Sequence, residues 1–122
     1  MQKEANAHHP LKQVFIKTES GCIGQIIDDI MYLTAQNGCI VFHTADGQEQ
    51  TCSKTLEYYV PRLAEYNFVR IHNGTLLNMD YFKEYHKGRG GEVLLLNGKI
   101  LTVSVKGKLQ LDLIMNGDDQ QN

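Results

Sequence analysis

The sequence predicts a mainly β fold, built of antiparallel β-sheets with short helices and a C-terminal helix. Two observations predict it. Apolar residues come in short runs, such as Ile30-Met31-Tyr32-Leu33 and Val93-Leu94-Leu95-Leu96, punctuated by Asn-Gly and Asp-Gly pairs that supply the turns of hairpins. Helical periodicity is confined to two stretches, one around residues 56 to 63 and one after Ser104. A chain of 122 residues without repeat or internal linker fits one domain, which buries roughly two-thirds of its unfolded surface.

Residues 1 to 12 lack periodicity and read as a flexible lead, residues 13 to 115 as the domain, and residues 116 to 122 as a disordered tail. Val14-Phe15-Ile16 and Cys22 to Ile27 are strands joined at Glu19-Ser20-Gly21. Asp28-Asp29 then interrupts; adjacent residues on a strand point to opposite faces, so the pair reads as a solvated turn and not as a carboxylate dyad. Asn37-Gly38 and Asp46-Gly47 bracket a strand over Cys39 to Thr44. Cys39 and His43 would lie about 13 Å apart along it, too far for a nucleophilic pair.

Ser53 is placed to cap a helix whose apolar face is Leu56, Tyr59, Val60 and Leu63, with Pro61 either kinking it or starting a second short turn. Asn78 can cap a single turn at Met79-Asp80-Tyr81, followed by an extended segment to His86. Lys87-Gly88-Arg89-Gly90-Gly91 reads as a hairpin tip, since no helix pattern follows it as a phosphate loop would require. Asn97-Gly98 joins two strands with an expected type I′ turn, and Ser104 caps a terminal helix carrying Leu109 and Leu113 one turn apart. Lys106 and Lys108 then fall near its start, where cations oppose the helix dipole, which raises the question of a nearby anion.

Composition narrows the function. Three cysteines without CxxC spacing argue against a disulfide framework or zinc knuckle and fit a reducing, cytoplasmic setting. No apolar run approaches the ~20 residues of a membrane-spanning helix. The five histidines show no metal-ligand spacing and no serine or cysteine sits in a nucleophile motif, so no cofactor and no enzymatic activity are expected. The net charge is only −2, yet residues 54 to 108 hold nine basic and five acidic side chains, a balance of +4 that permits one basic face.

Phe68-Val69-Arg70-Ile71-His72-Asn73-Gly74-Thr75-Leu76-Leu77-Asn78 sets polar groups among apolar anchors. Asn73-Gly74 is an ordinary hairpin signature, while Arg70, His72 and Asn73 can offer donors and acceptors to a partner. Arg70, inside an apolar run, is either a paired structural residue or a phosphate contact.

The order of these elements resembles the LytTR family, the DNA-binding output domain of many bacterial response regulators. The resemblance covers roughly residues 14 to 115. It rests on Phe15-Ile16-Lys17, Asp29-Ile30-Met31-Tyr32-Leu33, Asp46-Gly47, Phe68 to His72 followed by Leu76-Leu77-Asn78, Asn97-Gly98 and Val103-Ser104. It implies a LytTR-like elongated arrangement of sheets that reads double-stranded DNA with loops, at promoter repeats and with two copies forming a homodimer there. The family's contact positions fall on Asn37, on His72 and Asn73, and on Lys106, with Arg70 and Lys108 as further candidates. Asn can bridge adenine N6 and N7, Lys can donate to guanine, and His can do either. Asn73-Gly74-Thr75 stands where the family shows a basic residue, serine and an aromatic, and Val105 where it shows arginine. These departures leave a second expectation, a diverged LytTR-fold protein-interaction module. Most members carry a receiver or a membrane segment upstream; the twelve-residue lead is too short for a receiver, so the chain is expected to stand alone or to be cut from a longer regulator.

Overall fold

The computed structural model describes residues 12–88 and 90–119, and three antiparallel sheets account for its strands. Strands β1 (Gln13–Thr18) and β2 (Gly21–Ile26) form a hairpin of their own. β3 (Ile30–Gln36), β4 (Cys39–Thr44), β5 (Glu49–Cys52), β6 (Phe68–His72) and β7 (Thr75–Asn78) form a five-stranded sheet in the order β5-β4-β3-β7-β6. β8 (Phe82–His86), β9 (Glu92–Leu95) and β10 (Ile100–Thr102) form the third sheet. Helix α1 (Leu56–Leu63) joins β5 to β6, and α2 (Val105–Asp119) follows β10.

The five-stranded sheet is covered on both faces, which explains why β3 is buried at four successive residues, Ile30 to Leu33, instead of alternating. One core holds Ile16, Leu33, Ile40, Phe42, Leu56, Tyr59, Leu63 and Leu76, between the sheet, α1 and the β1-β2 hairpin. The other holds Tyr32, Ile71, Leu77, Val93, Leu95, Leu101 and Leu111, between the opposite face, the third sheet and α2. Each fully buried aliphatic or aromatic side chain contributes about 1.5–3 kcal/mol relative to exposure. Register fixes the division. Leu33 pairs with Leu76 and Tyr32 with Leu77, so neighbouring residues of both strands feed opposite cores.

Buried polar groups are matched. Asn78 is 1% exposed; its amide donates to the Ile30 carbonyl at 2.9 Å and its Oδ1 accepts from Asp80 N at 2.9 Å, capping the one-turn 3-10 helix Met79–Tyr81 as expected. The Tyr59 hydroxyl donates to the Phe15 carbonyl at 3.0 Å and ties α1 to β1. Ser104 caps α2 as expected, its Oγ accepting from Gly107 N at 3.0 Å.

Several local expectations are corrected. Thr55, not Ser53, caps α1: its backbone is extended and its Oγ1 accepts from Tyr58 N at 3.3 Å. The helix runs through Pro61 and gives way only at Ala64–Tyr66, a 3-10 turn that ends at Asn67 with φ 72°. Asn97-Gly98 is not a type I′ turn, because only Gly98 has positive φ. Gly98 N donates to the Leu95 carbonyl and Leu95 N to that of Lys99, closing a three-residue loop with the glycine in the left-handed position. The same loop recurs at Ala45-Asp46-Gly47, where Asp46 accepts from Gln48 N as Asn97 accepts from Lys99 N. Asn37-Gly38 is the turn with both φ values positive, 48° and 81°. In α2, Leu111 is the buried leucine, while Leu109 and Leu113 are exposed. The helix also continues to Asp119, past the start of the expected tail at residue 116. The expected lead falls outside the described residues but for Lys12.

Candidate nucleic-acid interface

Hairpin register brings two turns to the same end of the five-stranded sheet. β3 lies between β4 and β7, so the β3-β4 turn at Asn37-Gly38 and the β6-β7 turn at Asn73-Gly74 are neighbours, joined by Ala35 N donating to the Gly74 carbonyl at 2.9 Å. Asn73-Gly74 is a two-residue connection, His72 pairing with Thr75, but neither residue has positive φ. The turn is held instead from outside its own backbone. Gly74 N donates to His72 Nδ1 at 3.1 Å, and Arg70 Nη2 donates to the Asn73 carbonyl and, at 3.0 Å, to Glu57 Oε2.

These bonds assign chemical roles. A neutral His72 that accepts at Nδ1 carries its proton on Nε2, so the half-buried ring offers a donor at its other edge. Arg70 is paired: Glu57 offsets its charge, and its guanidinium fixes the chain at Asn73. The Glu57 carboxyl is held below its ordinary range, first by its own backbone N–H and then by Arg70. Asn73 and Asn37 keep exposed side chains.

The third element is the start of α2. Ser104 N donates to the Ile71 carbonyl at 2.9 Å, which docks the helix N-terminus beside the β6-β7 turn. Gly107 lies flat on the same peptide; a Cβ there would come within 1.9 Å of the Ile71 oxygen. Lys106 is thereby carried to a cleft of about 900 Å³ that also has Arg70, His72 and Asn73 in its walls. A second, adjoining concavity is lined by Asn37, Arg70 and Asn73.

Asn37, Arg70, His72, Asn73 and Lys106 therefore share one edge of the domain. Lys108 does not join them, since its aliphatic chain covers Gly91, within 2.6 Å of where a Cβ of that residue would sit. Lys54 is a residue that sequence reasoning passed over. It lines the concavity between the two turns and stands 4.6 Å from the centre of the Tyr58 ring, with no carboxylate within ion-pair distance among the described residues. Nothing local marks it, because its neighbours come from β3, β4 and β6. Gly107 was also passed over, although a glycine inside a helical pattern is itself a signal of close backbone approach.

The fold and this edge define a class: a β-rich domain that offers amide, imidazole and ammonium groups from turns and a helix start. Residues 23–115 match the sequence profile of the LytTr DNA-binding domain, and the chain belongs to that family, one of DNA-binding domains and not of enzymes. The fold is that of the LytTr DNA-binding domain of a Bacillus cereus protein described as a methyl-accepting/DNA response regulator, with a TM-score of 0.74 and 20% identity over 85% of this chain and 96% of that one. No curated protein matches the chain significantly. No helix among the described residues is long and apolar enough to cross a membrane.

Proposed function

We propose that the chain binds specific double-stranded DNA sequences through Asn37, His72, Asn73 and Lys106, and regulates transcription as or within a two-component response regulator in the cytoplasm. The observation that carries this reading is the convergence of those four side chains on one edge, where two turns and a helix start are locked by backbone hydrogen bonds. Asn37 and Asn73 are suited to adenine, Lys106 to guanine or phosphate, and the Nε2–H of His72 to an acceptor on a base edge. Lys54 adds a cation to the same face. The name of the Bacillus cereus protein is consistent with a role in a response regulator. In this reading two copies occupy a repeated promoter site, and the phosphorylation signal comes from a receiver domain.

Fluorescence anisotropy on promoter fragments across a salt series tests the proposal. Affinity should fall with salt by a logarithmic slope of roughly 0.9 per phosphate neutralised, and one fragment should bind far more tightly than random DNA. A response flat in salt, or equal affinity for random DNA, would sink it.

A further inference from the structure

Asn37 and Lys54 reach one place from different strands. Cys52, the last residue of β5, pairs with Ile40 across the ladder, so Lys54, two residues further on, emerges beside the β3-β4 turn as the chain crosses to α1. It lines the same concavity, of about 320 Å³, as Asn37 and Asn73. Three charged side chains face that concavity. Arg70 and Glu57 offset each other at 3.0 Å, which leaves the Lys54 ammonium as its uncompensated charge.

The ammonium is also held in place. It lies 4.6 Å from the centre of the Tyr58 ring, and the Arg62 guanidinium stacks 3.5 Å from the same centre while Arg62 Nη1 donates to the Tyr58 carbonyl. Two cations thus share one ring, and no carboxylate lies within ion-pair distance of either among the described residues. Like charges gathered without a counter-charge repel each other, and an external anion relieves that cost. The ring attracts the lysine by its face and accepts none of its three hydrogen-bond donors in line, so they stay open to an oxygen ligand.

Position selects the kind of anion. A turn that enters a groove of the duplex meets base edges at its tip and a sugar-phosphate backbone along its flanks. Asn37 is at the tip of its turn and Lys54 is at the flank, on the segment that leads into α1. We propose that Lys54 is a phosphate contact beside the Asn37 turn, and that Tyr58, braced by Arg62, is the residue that positions it. The inference rests on the DNA-binding reading above but not on its selectivity, because a phosphate contact is the same on every sequence.

Lys54→Met keeps an unbranched stem over the ring and removes the charge. In fluorescence anisotropy its logarithmic salt slope should be smaller than that of the wild type by roughly 0.9, with the ratio of affinities for preferred and random fragments unchanged. Lys54→Arg should keep the slope. An unchanged slope in Lys54→Met, or a loss confined to the preferred fragment, would overturn the phosphate contact. Tyr58→Phe should leave affinity as it is, whereas Tyr58→Leu should weaken binding roughly threefold on both fragments, and only while Lys54 is present. Equal weakening in the wild type and in the Lys54→Met variant would show that Tyr58 acts through the fold alone and would overturn its positioning role. Wild-type affinity equal for random and promoter DNA would count against the preceding section and leave the Lys54 slope measurable, whereas a wild-type chain that binds no DNA would overturn both.

Discussion

The α-carbon of Gly107 rests against the carbonyl group of Ile71, so that the strand before the Asn73-Gly74 turn and the first turn of α2 share one peptide contact. Two effects oppose each other when a methyl is added there. Alanine favours a helix interior over glycine by about 1 kcal/mol, but a Cβ at 1.9 Å from backbone oxygen forces the helix away from β6, and overpacking of this kind costs typically 1–3 kcal/mol. Backbone atoms cannot turn aside as a side chain could, so the clash wins. Gly107→Ala should lower the unfolding free energy in urea denaturation and, by displacing Lys106, reduce DNA affinity.

Arg70 offers a sharp test of structural against direct roles. Its single Nη2 serves both Glu57 and the Asn73 carbonyl, one bond farther along the side chain than a lysine ammonium reaches, and it is held there in a planar guanidinium that a lysine lacks. Arg70→Lys keeps the charge, and is expected to reduce discrimination between the preferred fragment and random DNA while leaving the salt slope unchanged. A loss of affinity equal on all sequences would show that Arg70 contacts phosphate.

Asn37 and Asn73 can be separated from the turns they form. Asn37 has φ 48°, a conformation glycine adopts at no steric cost, so Asn37→Gly preserves the type I′ turn and deletes only the amide. Thermal stability should shift little, and affinity for the preferred fragment should fall. Asn73→Ala should cost roughly 1–3 kcal/mol on that fragment if the amide makes a bidentate base contact. An unchanged affinity in anisotropy would remove Asn73 from the interface.

Stability should depend on pH through His43. Its ring stacks on Tyr32 with centroids 4.2 Å apart, its Nε2 lies 2.9 Å from Thr34 Oγ1, and burial lowers its pKa below the ordinary 6.5, with Glu49 opposing and Lys99 assisting. Between the lowered folded value and 6.5 the unfolded chain binds more protons, so unfolding free energy rises with pH there. The stabilisation is complete above 6.5 and is lost as the pH falls through the folded pKa. His43→Phe, which keeps the stack, should flatten this part of the pH profile measured by chemical denaturation.

Much of the fold was legible because it follows from local chemistry. Short apolar runs between turn residues located the strands, Asn78 and Ser104 were recognisable caps, and the spacing of Leu56, Tyr59 and Leu63 marked the buried face of α1. The candidate interface was legible only as a set of residue types at motif positions. That Asn37, Asn73 and Lys54 line one concavity and that Lys108 is turned to Gly91 depend on contacts between distant segments.

Asn-Gly occurs at 37-38, 73-74, 97-98 and 116-117; at the first three, each between two apolar runs, the sequence by itself determined that the chain reverses, while the fourth lies within α2. The tertiary structure decided how. Both residues take positive φ at the first turn, neither at the second and only the glycine at the third. The local cost difference between turn types is small, so outside hydrogen bonds choose among them: Ala35 N and Arg70 hold the peptides of Asn73 and Gly74, whereas loop closure by Lys99 and Leu95 sets the third turn. The same holds for the terminal helix. Its periodicity announced a helix and Ser104 its start, but which leucine entered the core was set by the contact between Gly107 and Ile71, because only the side without a side chain can approach a strand so closely.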